Sequence, residues 1–191
     1  MTKPLRTALA VLPFLLAVAC TDAAKAPAEA ALAAAGAAVE QLKGDAARYA
    51  PEAARAVQAG YDSAKALAAK QDYKGALAAA SEIPAKATAA LAAARARKDE
   101  LVKAVNDAAA DLPGMIGELK QKTAALASAK KLPKGMDKAA VEKAQEGVAA
   151  LEAGWKSASS QVKTGEYEAA IEKIRALRTQ AEDLARSLAG K

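Results

Sequence analysis

The sequence has no histidine, one asparagine (Asn106), one cysteine (Cys20), one phenylalanine (Phe14) and one tryptophan (Trp155). Without an imidazole, Ser–His and Cys–His nucleophile–base pairs cannot be assembled. Zinc sites built on His and Cys lack their ligands once Cys20 is committed elsewhere. The eleven glycines include neither G-x-G-x-x-G nor G-x-x-x-x-G-K-[ST], so no phosphate-cradling loop is encoded. Carboxylate pairs such as Asp107 and Asp111, one helical turn apart, read as a solvated helix face. The expectation is a non-enzyme with no catalytic, cofactor-binding or metal-ligating residues. Charge of one sign is also in short supply: 28 Lys+Arg stand against 22 Asp+Glu. The densest basic run, Arg95-Ala96-Arg97-Lys98, is neutralised at once by Asp99-Glu100. No basic stripe of the kind that tracks a phosphate backbone results, and no nucleic-acid partner is expected.

What the chain has instead is alanine, 59 of its 191 residues. Burying a lone methyl is worth only a fraction of the roughly 1.5–3 kcal/mol gained from a buried Leu or Ile. Alanine does have the best helix propensity, with Lys, Glu, Gln, Arg and Leu close behind, while strand formers are few. The composition predicts an all-α protein stabilised by helix propensity, close backbone approach and a few large side chains.

The longest apolar run, Ala8 to Ala19, follows Lys3 and Arg6 and is interrupted only by Pro13. It is too short to span a hydrocarbon core of about 30 Å at 1.5 Å per residue, so residues 1–19 read as a secretory signal. Leu16-Ala17-Val18-Ala19-Cys20 resembles the lipobox of bacterial lipoproteins, in which the cysteine thiol is acylated and becomes the first residue. The resemblance implies lipidation of Cys20 and a lipidated tether over 20–27. Thr21 after the cysteine implies sorting to the outer membrane, facing the periplasm. Ala17 stands where the lipobox carries a large aliphatic residue, and Ala17-Val18-Ala19 also fits ordinary A-x-A cleavage, so a soluble periplasmic protein with a free thiol is the alternative.

Helices are expected over about 28–43 and 51–70, then from a cap at Asp72 to Asp111 with a kink or end at Pro84. A further helix should follow Leu112-Pro113-Gly114 and stop at Lys131-Leu132-Pro133-Lys134-Gly135. The last two carry a/d seams: Val141, Ala144, Val148, Leu151, Trp155, Ala158 and Val162, then Tyr167, Ala170, Ile174, Leu177, Ala181, Leu184 and Leu188. They form an antiparallel hairpin. A shift of 94 residues without a gap lays Gly60-Tyr61-Asp62-Ser63 on Gly154-Trp155-Lys156-Ser157, and Asp72-Tyr73 on Glu166-Tyr167. The fold expected is therefore an Ala-rich helical bundle of two three-helix units, 28–111 and 112–191, related by internal duplication.

Tyr49-Ala50-Pro51-Glu52-Ala53-Ala54-Arg55-Ala56, followed by Asp72-Tyr73-Lys74-Gly75-Ala76-Leu77-Ala78, is similar to an uncharacterised Ala-rich helical domain of bacterial envelope lipoproteins, some of which are fused to peptidoglycan-binding domains. The resemblance covers about residues 28–98, with an echo over 122–190. It implies a location and a fold but no site. Gly165-Glu166-Tyr167-Glu168-Ala169-Ala170-Ile171 looks like the start of the second helix of a tetratricopeptide repeat, without the rest of that signature.

Trp155 and Tyr61 are candidate partner contacts, because aromatic residues anchor interfaces, although their spacing places them on the core seam. Lys131 and Lys134, with Lys130 and Lys138, form a cationic loop that would meet anionic lipid or cell-wall carboxylates. The function expected is a non-enzymatic outer-membrane lipoprotein, a periplasm-facing helical scaffold or interaction module. Its partners would be the membrane, through the anchor, and an envelope protein or peptidoglycan. The alternatives are a peptide- or protein-binding adaptor or chaperone, and a self-assembling coiled-coil homo-oligomer.

Overall fold

The computed structural model describes residues 23–133 and 135–189. The signal segment 1–19, Cys20 and Lys134 lie outside the described residues. Among those described there is no strand, and the chain is an all-α helical bundle protein. Its helices are α1 (Lys25–Glu40), α2 (Asp45–Tyr49), α3 (Pro51–Ala69), α4 (Tyr73–Ser81), α5 (Ile83–Ala109), α6 (Leu112–Ser128), α7 (Lys138–Lys163) and α8 (Tyr167–Ser187), with a 3-10 turn at Gln41–Lys43. Two compact units divide between Arg97 and Lys98, inside α5 and not at Leu112-Pro113-Gly114. That tripeptide opens a helix: Pro113 occupies the first turn of α6, where the N–H it lacks would have had no intrahelical partner. Leu112 beside it is fully buried.

Helix α1 begins at Lys25, within the stretch expected to be tether, because Pro27 falls in the first turn and Ala28 is completely buried. The expected helix over 28–43 is cut short at Glu40 and tightens into the 3-10 turn; Gly44 then leads into α2, which periodicity did not foresee. Ala50, the residue before Pro51, leaves the helical region with φ −139°, as the steric demand of the following ring requires. Pro84 separates α4 from α5 as expected. The break falls at Glu82, whose carbonyl accepts from the Lys86 N–H at 3.1 Å. The Glu82 carboxylate meets Lys86 Nζ at 2.7 Å.

In the first unit, α3 and α4 form a hairpin and α1 lies against both. Its core joins Ala35, Val39, Leu42, Ala46, Val57, Ala64 and Ala80 to Ile83, Ala87, Ala90 and Ala94 of α5. The second unit is a three-helix arrangement in which α7 and α8 form the hairpin and α6 covers it. The largest fully buried side chains are Ile83, Leu112, Leu151 and Ile174. Thr123 is also buried, and its hydroxyl donates to the Leu119 and Lys120 carbonyls at 2.9 and 3.1 Å, so that hydroxyl is not stranded.

The two hairpin turns coincide at the spacing of 94 residues. Gln71 and Gly165 both take positive φ, 65° and 76°. Gln71 N–H donates to the Ala68 carbonyl and Asp72 N–H to Leu67; correspondingly, Gly165 donates to Val162 and Glu166 to Gln161. Such bonds satisfy the last carbonyls of a helix that ends in a left-handed residue. Seven burial pairs fall at the same spacing, among them Val57 with Leu151, Ala64 with Ala158 and Ile83 with Leu177. The match stops at the preceding helix: Ala28 and Ala35 are buried, whereas Lys122 and Ala129 are exposed.

Candidate functional site

Tyr61 lies on α3 in the first unit. Its ring is half-buried against the core, and its hydroxyl would stand 2.8 Å from a Cβ placed on Gly36 of α1. The absent side chain at Gly36 is what lets the phenol lie across that helix. Lys65, one turn on, holds its ammonium 5.3 Å from the ring centroid, within cation–π range. Tyr61 is thus engaged by its own fold on both sides.

Trp155 lies on α7 and is half-buried, not sealed in the core. Its neighbour Gly154 faces α8: a Cβ there would stand 2.5 Å from Leu177 Cδ2. Gly60, at the corresponding place in the first unit, has Ile83 Cδ1 at 3.0 Å. In both hairpins a glycine therefore seats a large aliphatic side chain of the returning stretch, and the aromatic residue beside it sits at the rim. Tyr49, Tyr73 and Tyr167 are half-buried as well. Of the expected a/d positions around them, Ala170, Ile174, Leu177, Ala181 and Leu188 are buried as the heptads require, whereas Leu184 is half-buried. Aromatic rings are too wide for helices brought together over alanine and glycine, so they are displaced from the seam to its edges.

Lys131 is exposed in the connection between α6 and α7. Trp155 lies 17 residues beyond Lys138, about 25 Å along α7 at 1.5 Å per residue, so Lys131 and Trp155 do not share a site. Tyr61 belongs to the other unit. Within the second unit the expected partner contacts are therefore separate features.

Clefts occur elsewhere. One of about 390 Å³ in the first unit is lined by Val39, Leu42, Pro51, Ala54, Arg55 and Gln58. A second, of about 470 Å³, lies where the end of α6, the following connection and the start of α7 meet. A third, of about 400 Å³, lies between α7 and α8 around Gly147, Leu184 and Leu188. Sequence reasoning marked the lysines of the connection but not the cleft beside them, because Leu126 and Leu132 look like ordinary seam and loop residues until α7 folds back.

Among the described residues, no group of three or more Asp, Glu, His or Cys is placed to hold a metal ion. No helix among them is long and apolar enough to cross a membrane. At Glu82 the hydrogen bond from Lys86, and then its charge, hold the carboxyl below its ordinary value; burial opposes this only slightly.

No protein-family model, curated protein or solved structure matches the chain. A functional reading must come from its residues and packing.

Proposed function

We propose that this is a non-enzymatic lipoprotein of the bacterial outer membrane, anchored through Cys20 and presenting a helical scaffold or interaction module to the periplasm. The observation that carries the reading is Leu16-Ala17-Val18-Ala19-Cys20 at the end of a short apolar run, with the chain's sole cysteine at the acylation position. Several acyl chains, at about 0.8 kcal/mol per buried CH₂, exceed what stable anchoring needs. The all-α bundle fits the reading, since a tethered scaffold needs surface and length, not an enclosed reaction site. On the same footing we read the two hairpins as copies of one ancestral hairpin. Support comes from the shared turn geometry and the Gly60–Ile83 and Gly154–Leu177 pairs, and it is confined to the hairpins and the start of α5.

Intact mass of the mature protein from its own membranes, beside fractionation of a Cys20→Ala variant, tests the anchor. Acylated Cys20, with loss of membrane association in the variant, is expected. An unmodified N-terminal Cys20 on a protein released with the soluble periplasmic fraction would overturn the reading and favour an adaptor.

A further inference from the structure

The positions 94 residues apart that match in burial diverge at one end of the second unit's hairpin. In the first unit Leu42, Ala46 and Ala90 are 4%, 0% and 2% exposed, and the half-buried Tyr49 packs against the core that contains them. Their counterparts in the second unit are Met136 and Leu184, both half-buried, and Ala140, which is exposed. The place of Tyr49 is taken by Lys143. These four residues line the cleft of about 400 Å³ between the start of α7 and the end of α8, with Ala144 and Leu188 buried behind them. Other polar groups of the lining are already engaged: Asp183 pairs with Arg186, and the Ser187 hydroxyl donates to the Leu184 carbonyl at 2.7 Å. Lys143, by contrast, has no ion pair among the described residues.

We propose that this cleft receives one aromatic side chain of a partner polypeptide, with an acidic residue beside it. The first unit supplies the argument for the occupant, because there a ring carried by the chain itself packs against the corresponding residues. A ring seated on Met136, Ala140 and Leu184 brings them towards the burial of Leu42, Ala46 and Ala90. An aromatic anchor in a small apolar pocket is the usual form of an interface hot spot, and the volume lies within the range of built binding sites. The Lys143 ammonium at the rim then selects the charge that flanks the ring. The comparison needs only the spacing of 94 residues, not common descent. Cys20 takes no part in it, so the inference stands or falls apart from the membrane anchor.

The test is titration of the full chain with the blocked tetrapeptide acetyl-Ala-Tyr-Glu-Ala-amide, followed by amide chemical shifts. Saturable shifts confined to about residues 136–147 and 183–188 are expected, with a dissociation constant on the order of 1 mM for so small a probe. Alanine in place of the tyrosine should weaken binding at least about tenfold, and lysine in place of the glutamate about threefold. Lys143→Tyr, which copies Tyr49 at an exposed position, should fill the cleft from within. Peptide binding is then lost, and the Trp155 transition in urea moves to higher concentration. Lys143→Ala leaves the cleft open and should bind the peptide within about threefold of the parent protein. Undiminished binding by Lys143→Tyr, equal affinity for the alanine peptide, shifts spread over the first unit, or no saturable shifts at all would each overturn the proposal. Concentration-dependent shifts of the same residues without peptide would do so too, and would make a second copy of the chain the occupant.

Discussion

Replacing Gly154 with alanine sets two effects of known sign against each other. Glycine inside a helix costs about 1 kcal/mol relative to alanine, so the substitution should stabilise α7 wherever there is room. At Gly154 there is none: the new Cβ would stand 2.5 Å from Leu177 Cδ2, 3.3 Å from Cδ1 and 3.4 Å from Cγ. Leu177 is 6% exposed and cannot swing away without disturbing the hairpin core. Overpacking of this kind costs about 1–3 kcal/mol, which offsets the propensity gain and leaves a net loss of up to about 2 kcal/mol. Gly117, in α6, provides the control, because a Cβ there meets nothing within 4 Å. Gly117→Ala should stabilise by about 1 kcal/mol, or roughly 4–8 °C in Tm for a unit of this size. Trp155, the chain's sole tryptophan, lies next to Gly154, so its fluorescence during thermal or urea unfolding reports the second unit without contribution from the first. In a Leu177→Ala background the clash is gone, and Gly154→Ala should become neutral or favourable; the cycle yields a coupling of at least about 1 kcal/mol. The reasoning fails if Gly154→Ala matches or exceeds Gly117→Ala in stability, or if the Leu177→Ala background leaves its effect unchanged.

Gln71 holds a left-handed conformation that costs a non-glycine residue about 1–2 kcal/mol; Gln71→Gly, which copies Gly165, should raise the stability of the first unit by about 1 kcal/mol in urea titration. Leu112 is fully buried, so Leu112→Ala should cost about 2–5 kcal/mol by cavity formation, read as an earlier Trp155 transition. Asp137 caps α7 by accepting from the Ala140 N–H at 2.7 Å, and Asp137→Ala should cost about 1 kcal/mol with the hydrogen-exchange change confined to the first turns of that helix. Glu82 titrates below its ordinary value because of Lys86, so its contribution is fully present above the unfolded-state value of 4.5 and is lost as pH falls through the lower folded value. Carboxyl NMR should place the Glu82 midpoint below 4.5, and Lys86→Gln should move it upward; an unmoved midpoint would rule out the pair as the cause.

The sequence by itself determined the helical class, most of the breaks and most of the seams of α7 and α8. These are local quantities: propensity summed over turns, prolines that forbid a backbone bond, and large residues at three- and four-residue steps. Pro84 ended a helix where its ring demanded it, and Asp72 and Asp137 both accept from the backbone N–H three residues on. In α5 the periodicity was invisible. Its buried face is Ile83, Ala87, Ala90, Ala94, Leu101 and Val105, a regular seam in which half the members are alanines among many exposed alanines. The conspicuous Leu91 is only half-buried. When alanine occupies core and surface alike, identity no longer reports burial, and only the neighbouring helix decides which methyls are covered. The tertiary structure likewise decided where the aromatics go. Their spacing puts Tyr61 and Trp155 on the seam, but both are only half-buried: Tyr61 lies across α1 over Gly36, and Trp155 sits at the rim beside Gly154, whose place on the hairpin is filled by Leu177. The cleft beside Lys130 and Lys138 is tertiary in the same sense, because its walls come together only once α7 has folded back along α6.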